Sequence, residues 1–220
     1  VSARMGLNTA LITFSGLAIG KMSCNPAIGG LGKGQLVKEI DALYGEMGLA
    51  IDETGIKFRT LNSSKGPAVR SSRAQADRDL YQKRMSQAVQ TCPNLSLIEG
   101  EAGALGVENG AVHGVYVGEE SFVSARAVVV TTGTFLKGLM HTGEKQTVGG
   151  RFGDKAAFAL SDSLRNLGLR VGRLKTGTPP RLSLKTINLS VLSEQPGDTP
   201  IRPFSFRTNS IDRQQISCWL

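Results

Sequence analysis

The stretch from Ser23 to Gln35, SCNPAIGGLGKGQ, limits the possible folds of this chain more than any other segment does. It places four glycines between positions 29 and 34, and glycine is the residue that tolerates left-handed backbone and the close approach of other groups. Apolar residues at helical spacing follow at once, at positions 36, 37, 40, 43, 44 and 47. The sequence therefore predicts a tight glycine loop that leads into an amphipathic helix.

Such a loop can bind a phosphate group, or it can be a strained structural turn. The Walker A pattern fails, because Ala27 stands where its first glycine belongs and Gly34 occupies the place of the magnesium-binding hydroxyl. The G-x-G-x-x-G pattern also fails, because Gln35 stands at its third glycine. The glycines still allow backbone N–H groups to approach an anion at the positive end of a helix dipole. A phosphate-bearing cofactor and a structural turn both stay open.

The rest of the chain indicates an α/β fold with a β-meander inserted between helices. We expect a helix end at SARMG, capped by Gly6, then a buried strand over residues 7–14, which together make the second half of a βαβ unit whose first strand lies upstream of Val1. The segment 51–70 is expected to be mostly loop, and 73–89 a helix. Further predicted elements are a hairpin at the Asn109-Gly110 turn, a central strand in VVVTT that ends at Gly133, a helix over 155–168 and a strand in LRVGRL.

Positive charge is concentrated in one part of the chain. The net charge is +8, and eight basic residues lie between Lys57 and Arg84 with only Asp77 and Asp79 against them. A solvated helix face would explain most charge runs, but Lys65 and Arg70 flank a loop, where contact with phosphate is the natural use. KTGTPPRL, with Lys175 and Arg181, is either a second anion contact or an ordinary turn. The charge favours a polyanionic partner such as nucleic acid.

The cysteines and histidines exclude some classes of site. Cys24, Cys92 and Cys218 are far apart, and only two histidines are present, so neither a disulfide framework nor a metal site is expected. Cys24 is either a small buried apolar residue or a thiolate favoured by Lys21 and Lys33. No apolar run reaches eighteen residues, so no membrane span is expected. The chain begins with Val rather than Met, and we interpret it as a piece of a longer protein.

Four long motifs resemble the MnmG family, also called GidA. They are MSCNPAIGGLGKGQLVKEIDAL, LNSSKGPAVRSSRAQADRDLY, VVVTTGTFLKG and GRLKTGTPPR, and they extend over nearly the whole chain in unbroken order. The resemblance implies a glutathione-reductase-type FAD/NAD-binding fold, incomplete here because its first strand and GxGxxG turn are missing. It implies an FAD-binding part over 1–135, which includes the basic loop and the meander, and the start of an NAD or substrate domain over 136–220.

The same resemblance implies an enzyme that modifies C5 of the wobble uridine of certain tRNAs. Its cofactors would be FAD, NADH as reductant and methylenetetrahydrofolate as one-carbon donor, and its partners tRNA and an MnmE-type GTPase. A homodimer in the bacterial cytoplasm is expected, with a mitochondrial member as the alternative. Two other functions stay open, namely a flavin oxidoreductase that acts on a small molecule and a non-enzymatic RNA-binding module. The chain could also be too short to hold FAD by itself.

The resemblance and the residue chemistry together give a set of site candidates. Cys24 is the candidate catalytic thiolate. The cofactor candidates are Asn25, Pro26, Gly29, Gly30, Gly32, Lys33, Gly34, Ala102, Thr132, Gly133 and Thr134. The candidates for RNA or phosphate binding are Lys65, Arg70, Arg73, Lys175 and Arg181. The family's GRAGDPPS motif is GRFGDKAA here, which leaves a cofactor contact at Ala157 in doubt.

Overall fold

The structure is a computed structural model that describes residues 1–22 and 25–220. Its α-helices are α1 (Lys33–Ala42), α2 (Met47–Thr54), α3 (Arg78–Gln90) and α4 (Ala159–Asn166). Its strands are β1 (Thr9–Thr13), β2 (Ala27–Gly29), β3 (Gly55–Leu61), β4 (Ser71–Ala76), β5 (Leu95–Glu99), β6 (Ala102–Glu108), β7 (Ala111–Val117), β8 (Ser121–Ser124), β9 (Leu139–Thr142), β10 (Lys145–Val148), β11 (Glu194–Gln195) and β12 (Cys218–Trp219).

The chain forms two compact units. The first contains Val1–Thr9, Leu17–Ser96 and Gly177–Leu220, and the second contains Ala10–Gly16 and Leu97–Thr176. These bounds are discontinuous along the sequence, whereas the predicted domain boundary at residue 135 is a single break. That boundary stays a prediction for the protein at its natural length.

The core of the first unit is built on an antiparallel sheet with strand order β2–β4–β3. Ile28, Ala74 and Phe58 are direct partners across the three strands, and all three are buried. Ala50 and Ile51 of α2 join this cluster and have no exposed surface. Because adjacent positions of a strand point to opposite faces, the next row, which contains Gly29, Arg73 and Arg59, lies on the other face of the sheet.

Two buried carboxylates attach the segment around Phe204 to this core. Asp52 accepts hydrogen bonds from the N–H groups of Phe204 and Ser205, both at 2.8 Å. Asp41 accepts from the Phe206 N–H at 2.7 Å and from the Ser205 hydroxyl and the Arg207 guanidinium at 2.8 Å. A segment more than 150 residues away in sequence from either carboxylate is thereby held by charge-assisted hydrogen bonds, which are stronger than neutral ones.

The second unit contains the predicted meander. Strands β6, β7 and β8 form one antiparallel sheet, and left-handed Asn109 and Gly110 (φ 50° and 78°) make the predicted turn between the first two. Helix α4 is joined to this sheet where the Leu105 N–H donates to the Ser163 hydroxyl at 3.1 Å. Strands β9 and β10 of the same unit form a separate antiparallel pair. Elsewhere in the chain β1 pairs with β5, and β11 pairs with β12.

Several predicted elements differ from those observed. The predicted helix over 73–89 is strand β4 followed by α3, because the Asp77 carboxylate accepts from the N–H groups of Asp79 and Leu80 and caps the helix at Arg78. The predicted loop over 51–70 contains the end of α2 and all of β3. The single helix expected after the glycines is two helices, separated where Tyr44 adopts φ 60°.

Two predicted strands are not formed. VVVTT and LRVGRL have no strand partner among residues 1–22 and 25–220, and Val129 is 82% exposed. Apolar composition favours a strand, but a strand also requires a neighbouring backbone to pair with. The strand expected over 7–14 is present as β1, although four of its residues are only half-buried and Ala10 is exposed.

The part of the chain that the structure describes contains no helix long and apolar enough to cross a membrane. Across that same part, no group of three or more His, Cys, Asp or Glu side chains is placed to hold a metal ion.

Candidate functional site

The glycine loop lies against the backbone of the central strand β4. Gly29 has φ 85°, and a Cβ there would be 2.1 Å from the Ser72 carbonyl oxygen. A Cβ at Gly34 would be 2.4 Å from the Ser71 hydroxyl and 2.8 Å from the same carbonyl. Both distances are far below van der Waals contact, so packing against β4 accounts for these two glycines without any ligand.

Three backbone donors of the loop already have acceptors within the protein. The Gly30 N–H donates to the Ser72 carbonyl at 2.9 Å, and the N–H groups of Lys33 and Gly34 donate to the Gly30 carbonyl at 3.0 and 2.8 Å. The outward side of the loop is different. Gly32 has open space where a Cβ would stand, and the Lys33 side chain is exposed. The loop can therefore admit a ligand at Gly32 and Lys33, at the start of α1.

The basic loop of residues 62–70 is built by its own hydrogen bonds. Asn62 adopts φ 54° and donates from its amide to the Val69 carbonyl at 3.3 Å. The Arg70 guanidinium donates to the Lys65 carbonyl at 3.1 Å, so this side chain closes the loop as well as carrying charge. The Lys65 side chain is exposed. Arg70 thus has a structural contact that the sequence did not reveal, whereas Lys65 is placed for contact with a partner.

The glycine loop and the basic loop are neighbours. The Gln35 side-chain amide donates to the Arg70 carbonyl at 3.3 Å, and the buried Ser71 hydroxyl donates to the Gly30 carbonyl at 2.5 Å. The Arg73 guanidinium lies 3.5 Å from the place where a Cβ on Gly30 would stand. The two neighbouring loops and the adjoining strand β4 therefore carry four basic residues, namely Lys33, Lys65, Arg70 and Arg73.

Other predicted site residues lie outside these two loops. Ala102 begins β6 in the second unit, opposite Val117. In the same unit the Thr134 hydroxyl donates to the Gly150 carbonyl at 2.6 Å, the Phe135 N–H donates to the Thr132 carbonyl, and Gly133 adopts φ 60° with open space around it. Lys175 belongs to the second unit and Arg181 to the first.

Three further candidates, Cys24, Asn25 and Pro26, precede the glycine loop in the sequence. Cys24 lies outside the described residues. Asn25 is exposed, and the carbonyl of Pro26 accepts from the Ala76 N–H at 2.6 Å. At the divergent GRFGDKAA motif, Ala157 is buried and its N–H donates to the Phe135 carbonyl at 2.9 Å, so a small side chain fits there.

Sequence motifs do not reveal the side chains that join the two loops. Ser71 and Gln35 lie inside two of the family motifs, but nothing in those motifs shows that they join the loops, because this role depends on β4 lying beside the glycine loop. Arg59 stands out in the sequence only as one member of the basic run, but it lies directly opposite Arg73 in the sheet. A strand whose positions alternate strictly between buried and exposed is easier to recognise in a sequence. Strand β3 does not have this alternation.

Comparisons with known proteins identify the family. The sequence profile of "Glucose inhibited division protein A" matches residues 1–220. The chain is 55% identical over 219 residues to the tRNA uridine 5-carboxymethylaminomethyl modification enzyme MnmG of Geobacter sulfurreducens, an alignment that covers 100% of this chain and 35% of that protein.

Solved structures agree with this assignment. Two crystal forms of Aquifex aeolicus GidA each match with a TM-score of 0.90 and 45% identity, over 99% of this chain and 37% of that one. The GidA-related protein from Thermus thermophilus matches over 76% of this chain and 61% of that one, with a TM-score of 0.50 and 19% identity, and so supports the fold alone. The chain spans little more than a third of the length of the relatives it matches most fully, and it belongs to the GidA family.

Proposed function

We propose that this chain is part of a flavoenzyme that modifies the wobble uridine of tRNA at C5, adding an aminomethyl or carboxymethylaminomethyl group. The observation that carries the proposal is the 55% identity, over the whole chain, to a protein named for that modification. The positively charged surface formed by the glycine loop and the basic loop supports it, because tRNA is a polyanion. A modified base atom must leave the anticodon stack to be reached, so the RNA has to be held while one base is turned out.

FAD is the proposed cofactor. The outward side of the glycine loop fits a phosphate-bearing group, since Gly32 has no neighbour where a side chain would be and Lys33 and Arg73 supply charge beside it. The proposed set also includes Asn25, Pro26, Gly29, Gly30 and Gly34, together with Ala102 and residues 132–134 of the second unit. When bound, FAD would supply the redox chemistry, with NADH as reductant and methylenetetrahydrofolate as one-carbon donor.

The chain's own residues have separable roles in this proposal. Gly29 and Gly34 keep the loop close to β4, and Ser71 holds the Gly30 carbonyl, which orients the open side at Gly32. Lys65, Arg70 and Arg73, with Lys175 and Arg181, would bind RNA phosphates. Cys24 would act as a thiolate that adds to C6 of the uracil ring and so makes C5 nucleophilic.

The fold, domains, partner, assembly and location proposed for the enzyme rest on the family resemblance. We propose a dinucleotide-binding fold of the glutathione-reductase type in which the β6–β7–β8 meander is an insertion, with an FAD-binding part over 1–135 and a second domain from 136 onward. The proposed partner is an MnmE-type GTPase, the proposed assembly a homodimer, and the proposed location the bacterial cytoplasm, or the mitochondrion for a eukaryotic member.

The protein purified at its natural length should be yellow, with a flavin absorbance spectrum, and should modify tRNA when the two co-substrates and the GTPase are present. Cys24→Ser should retain the spectrum and tRNA binding but lose modification. A colourless protein that binds tRNA would instead be the non-enzymatic RNA-binding module. Unchanged modification by Cys24→Ser would contradict the nucleophilic role and leave Cys24 a packing residue.

Charge reversal at the basic loop should weaken tRNA binding. We expect Lys65→Glu combined with Arg73→Glu to lower affinity by about tenfold or more, and to reduce the slope of log K against log salt by about 0.7–0.9 for each phosphate that the variant no longer neutralises. Lys65 is preferred to Arg70 here because the Arg70 side chain also closes the loop. Filter binding or fluorescence anisotropy over a salt series would measure both quantities.

Arg165→Glu combined with Arg78→Glu is the matched control for this experiment. It makes the same change in net charge on exposed helices, where Arg165 pairs with Asp162 and Arg78 with Asp79. If the control weakens binding as much as the loop variant does, the loop is not the RNA contact. If the wild-type protein does not bind tRNA, a flavin oxidoreductase that acts on a small molecule becomes the better explanation.

A further inference from the structure

Three arginines of the first unit surround one narrow cleft. Arg59 of β3 and Arg73 of β4 are direct cross-strand partners, and the third arginine, Arg202, lines the same cleft, whose enclosed volume is about 10 Å³. Direct opposition of like charges destabilises a pair of strands unless another group compensates it. No acidic side chain forms an ion pair with any of the three among residues 1–22 and 25–220.

The carboxylate that lines the cleft is already used by the backbone. Asp198 accepts from the Thr60 N–H at 2.6 Å, and its own N–H donates to the Phe58 carbonyl at 2.8 Å, so it fastens this segment to β3. A single carboxylate also cannot balance three guanidinium groups. The cleft therefore keeps an excess of positive charge after Asp198 is counted.

The side chain of Arg59 has a donor atom that lacks a hydrogen-bond partner among the residues that the structure describes. Its Nη1 atom is buried and has no hydrogen-bond partner within the described part of the chain. Arginine carries five N–H donors and no acceptor, and buried donors without a partner are rare in folded proteins. A neutral side chain at this position would avoid the cost altogether, so the uncompensated charge of Arg59 favours a bound anion beside it.

We propose that this cleft is a binding site for one phosphate group, held by Arg59, Arg73 and Arg202. Guanidinium groups form paired hydrogen bonds with the oxygens of phosphate, and a tetrahedral dianion can accept from several of them at once. Thr60 and Ser72 line the same cleft, and their hydroxyl groups can complete the set of donors. The enclosed part of the cleft has room for about one water molecule, so the phosphate group would bind at its mouth, where Arg202 is exposed.

The site does not depend on the function proposed above. Its phosphate could belong to the RNA backbone or to a dinucleotide, since the chemistry recognised is the same. The Arg73 side chain lines the cleft and also approaches Gly30, so a phosphate bound here would adjoin the glycine loop.

The test is calorimetric titration of the protein at its natural length with inorganic phosphate, together with thermal unfolding with and without phosphate. We expect wild type to bind phosphate and to unfold at a higher temperature in its presence. Arg59→Gln should bind phosphate about tenfold more weakly or worse. Without phosphate, the same variant should unfold at or above the wild-type temperature, because it removes an unpaired buried charge beside Arg73.

Arg78→Gln is the control, since Arg78 is exposed on α3 and pairs with Asp79 at the surface. Equal stabilisation by phosphate of wild type and Arg59→Gln would overturn the proposal, and so would failure of wild type to bind phosphate. If Arg59→Gln does not fold, Arg202→Gln replaces it, because Arg202 is exposed in a loop and its removal should weaken phosphate binding in the same way. Displacement of bound phosphate by tRNA or by FAD identifies the source of the group, and displacement by neither indicates a free phosphate.

Discussion

Gly29→Ala should destabilise the protein by about 4 kcal/mol or more, at the upper end of the range for single substitutions. Two effects add at this position. A left-handed conformation costs an L-residue about 1–2 kcal/mol, and Gly29 has φ 85°. The new Cβ would also stand 2.1 Å from the Ser72 carbonyl oxygen, which belongs to the central strand of the sheet and cannot move without disturbing both neighbours.

Gly32→Ala separates these two effects. Gly32 is also left-handed, at φ 71°, but a Cβ there would meet nothing within 4 Å. We expect a destabilisation of about 1–2 kcal/mol from backbone conformation alone. Denaturant unfolding of both variants would measure the difference. Equal destabilisation at the two positions would mean that the contact between the glycine loop and β4 is looser than the structure indicates.

Asp41→Ala is expected to cost about 3–5 kcal/mol, the usual effect of removing one partner from a buried ion pair. The Asp41 side chain has no exposed surface, and its carboxylate accepts from the Phe206 N–H, the Ser205 hydroxyl and the Arg207 guanidinium. Removal of the carboxylate leaves these donors without this acceptor and releases the segment that brings Phe204 into the core.

Asp79→Ala is the control for this change. Asp79 is exposed, and its ion pair with Arg78 lies at the surface, where such pairs contribute about 0–1 kcal/mol. Thermal or denaturant unfolding should therefore show a large destabilisation for Asp41→Ala and a small one for Asp79→Ala. Similar effects in both variants would contradict the role assigned to the buried network.

The effect of Asp41 should depend on pH. Burial raises the pKa of its carboxyl, but the hydrogen bonds from Arg207 and Ser205 outweigh burial and leave the pKa below the ordinary value of 3.8. The ionised carboxylate therefore stabilises the fold fully above that value, and the stabilisation is lost as the pH falls through the lowered pKa. The difference in unfolding free energy between wild type and Asp41→Ala should shrink in that acid range.

The contribution of Asp52 to stability should depend on pH in the opposite direction. Burial raises the pKa of Asp52 above 3.8, and the hydrogen bonds from Phe204 and Ser205 offset this only in part. A raised pKa makes the contribution of this group greatest below 3.8, and that contribution declines as the pH rises through the raised value.

The local features of the fold could be predicted because they depend on residues close together in sequence. The helix after the glycines, the Asn109-Gly110 turn and the helix around Leu160 are all present. Features that need a distant partner are predicted less well. The sequence pattern places Arg73 in a helix, but its position in β4 follows from pairing with β2 on one side and β3 on the other. The same kind of pattern predicts a central strand in VVVTT, yet no neighbouring backbone among the described residues pairs with it.

The candidate site also has local features that the sequence predicts and long-range contacts that it does not. The sequence indicates that the glycine loop and the basic loop can each bind an anion, but their adjacency depends on hydrogen bonds of Ser71 and Gln35 that the sequence does not show. The packing of Gly29 and Gly34 against β4 likewise shows that two of the four glycines have a structural role, whereas Gly32 keeps an open side.

By itself, the sequence determined where the chain needs special backbone and where its charge is concentrated, because these properties arise from residues a few positions apart. Only the tertiary structure decided that the Ser72 carbonyl lies against Gly29, that Arg59 lies opposite Arg73, and that Asp41 holds Ser205 from 164 residues away. The physical reason is strand register and long-range packing, which bring together groups whose separation along the chain carries no signal of their contact.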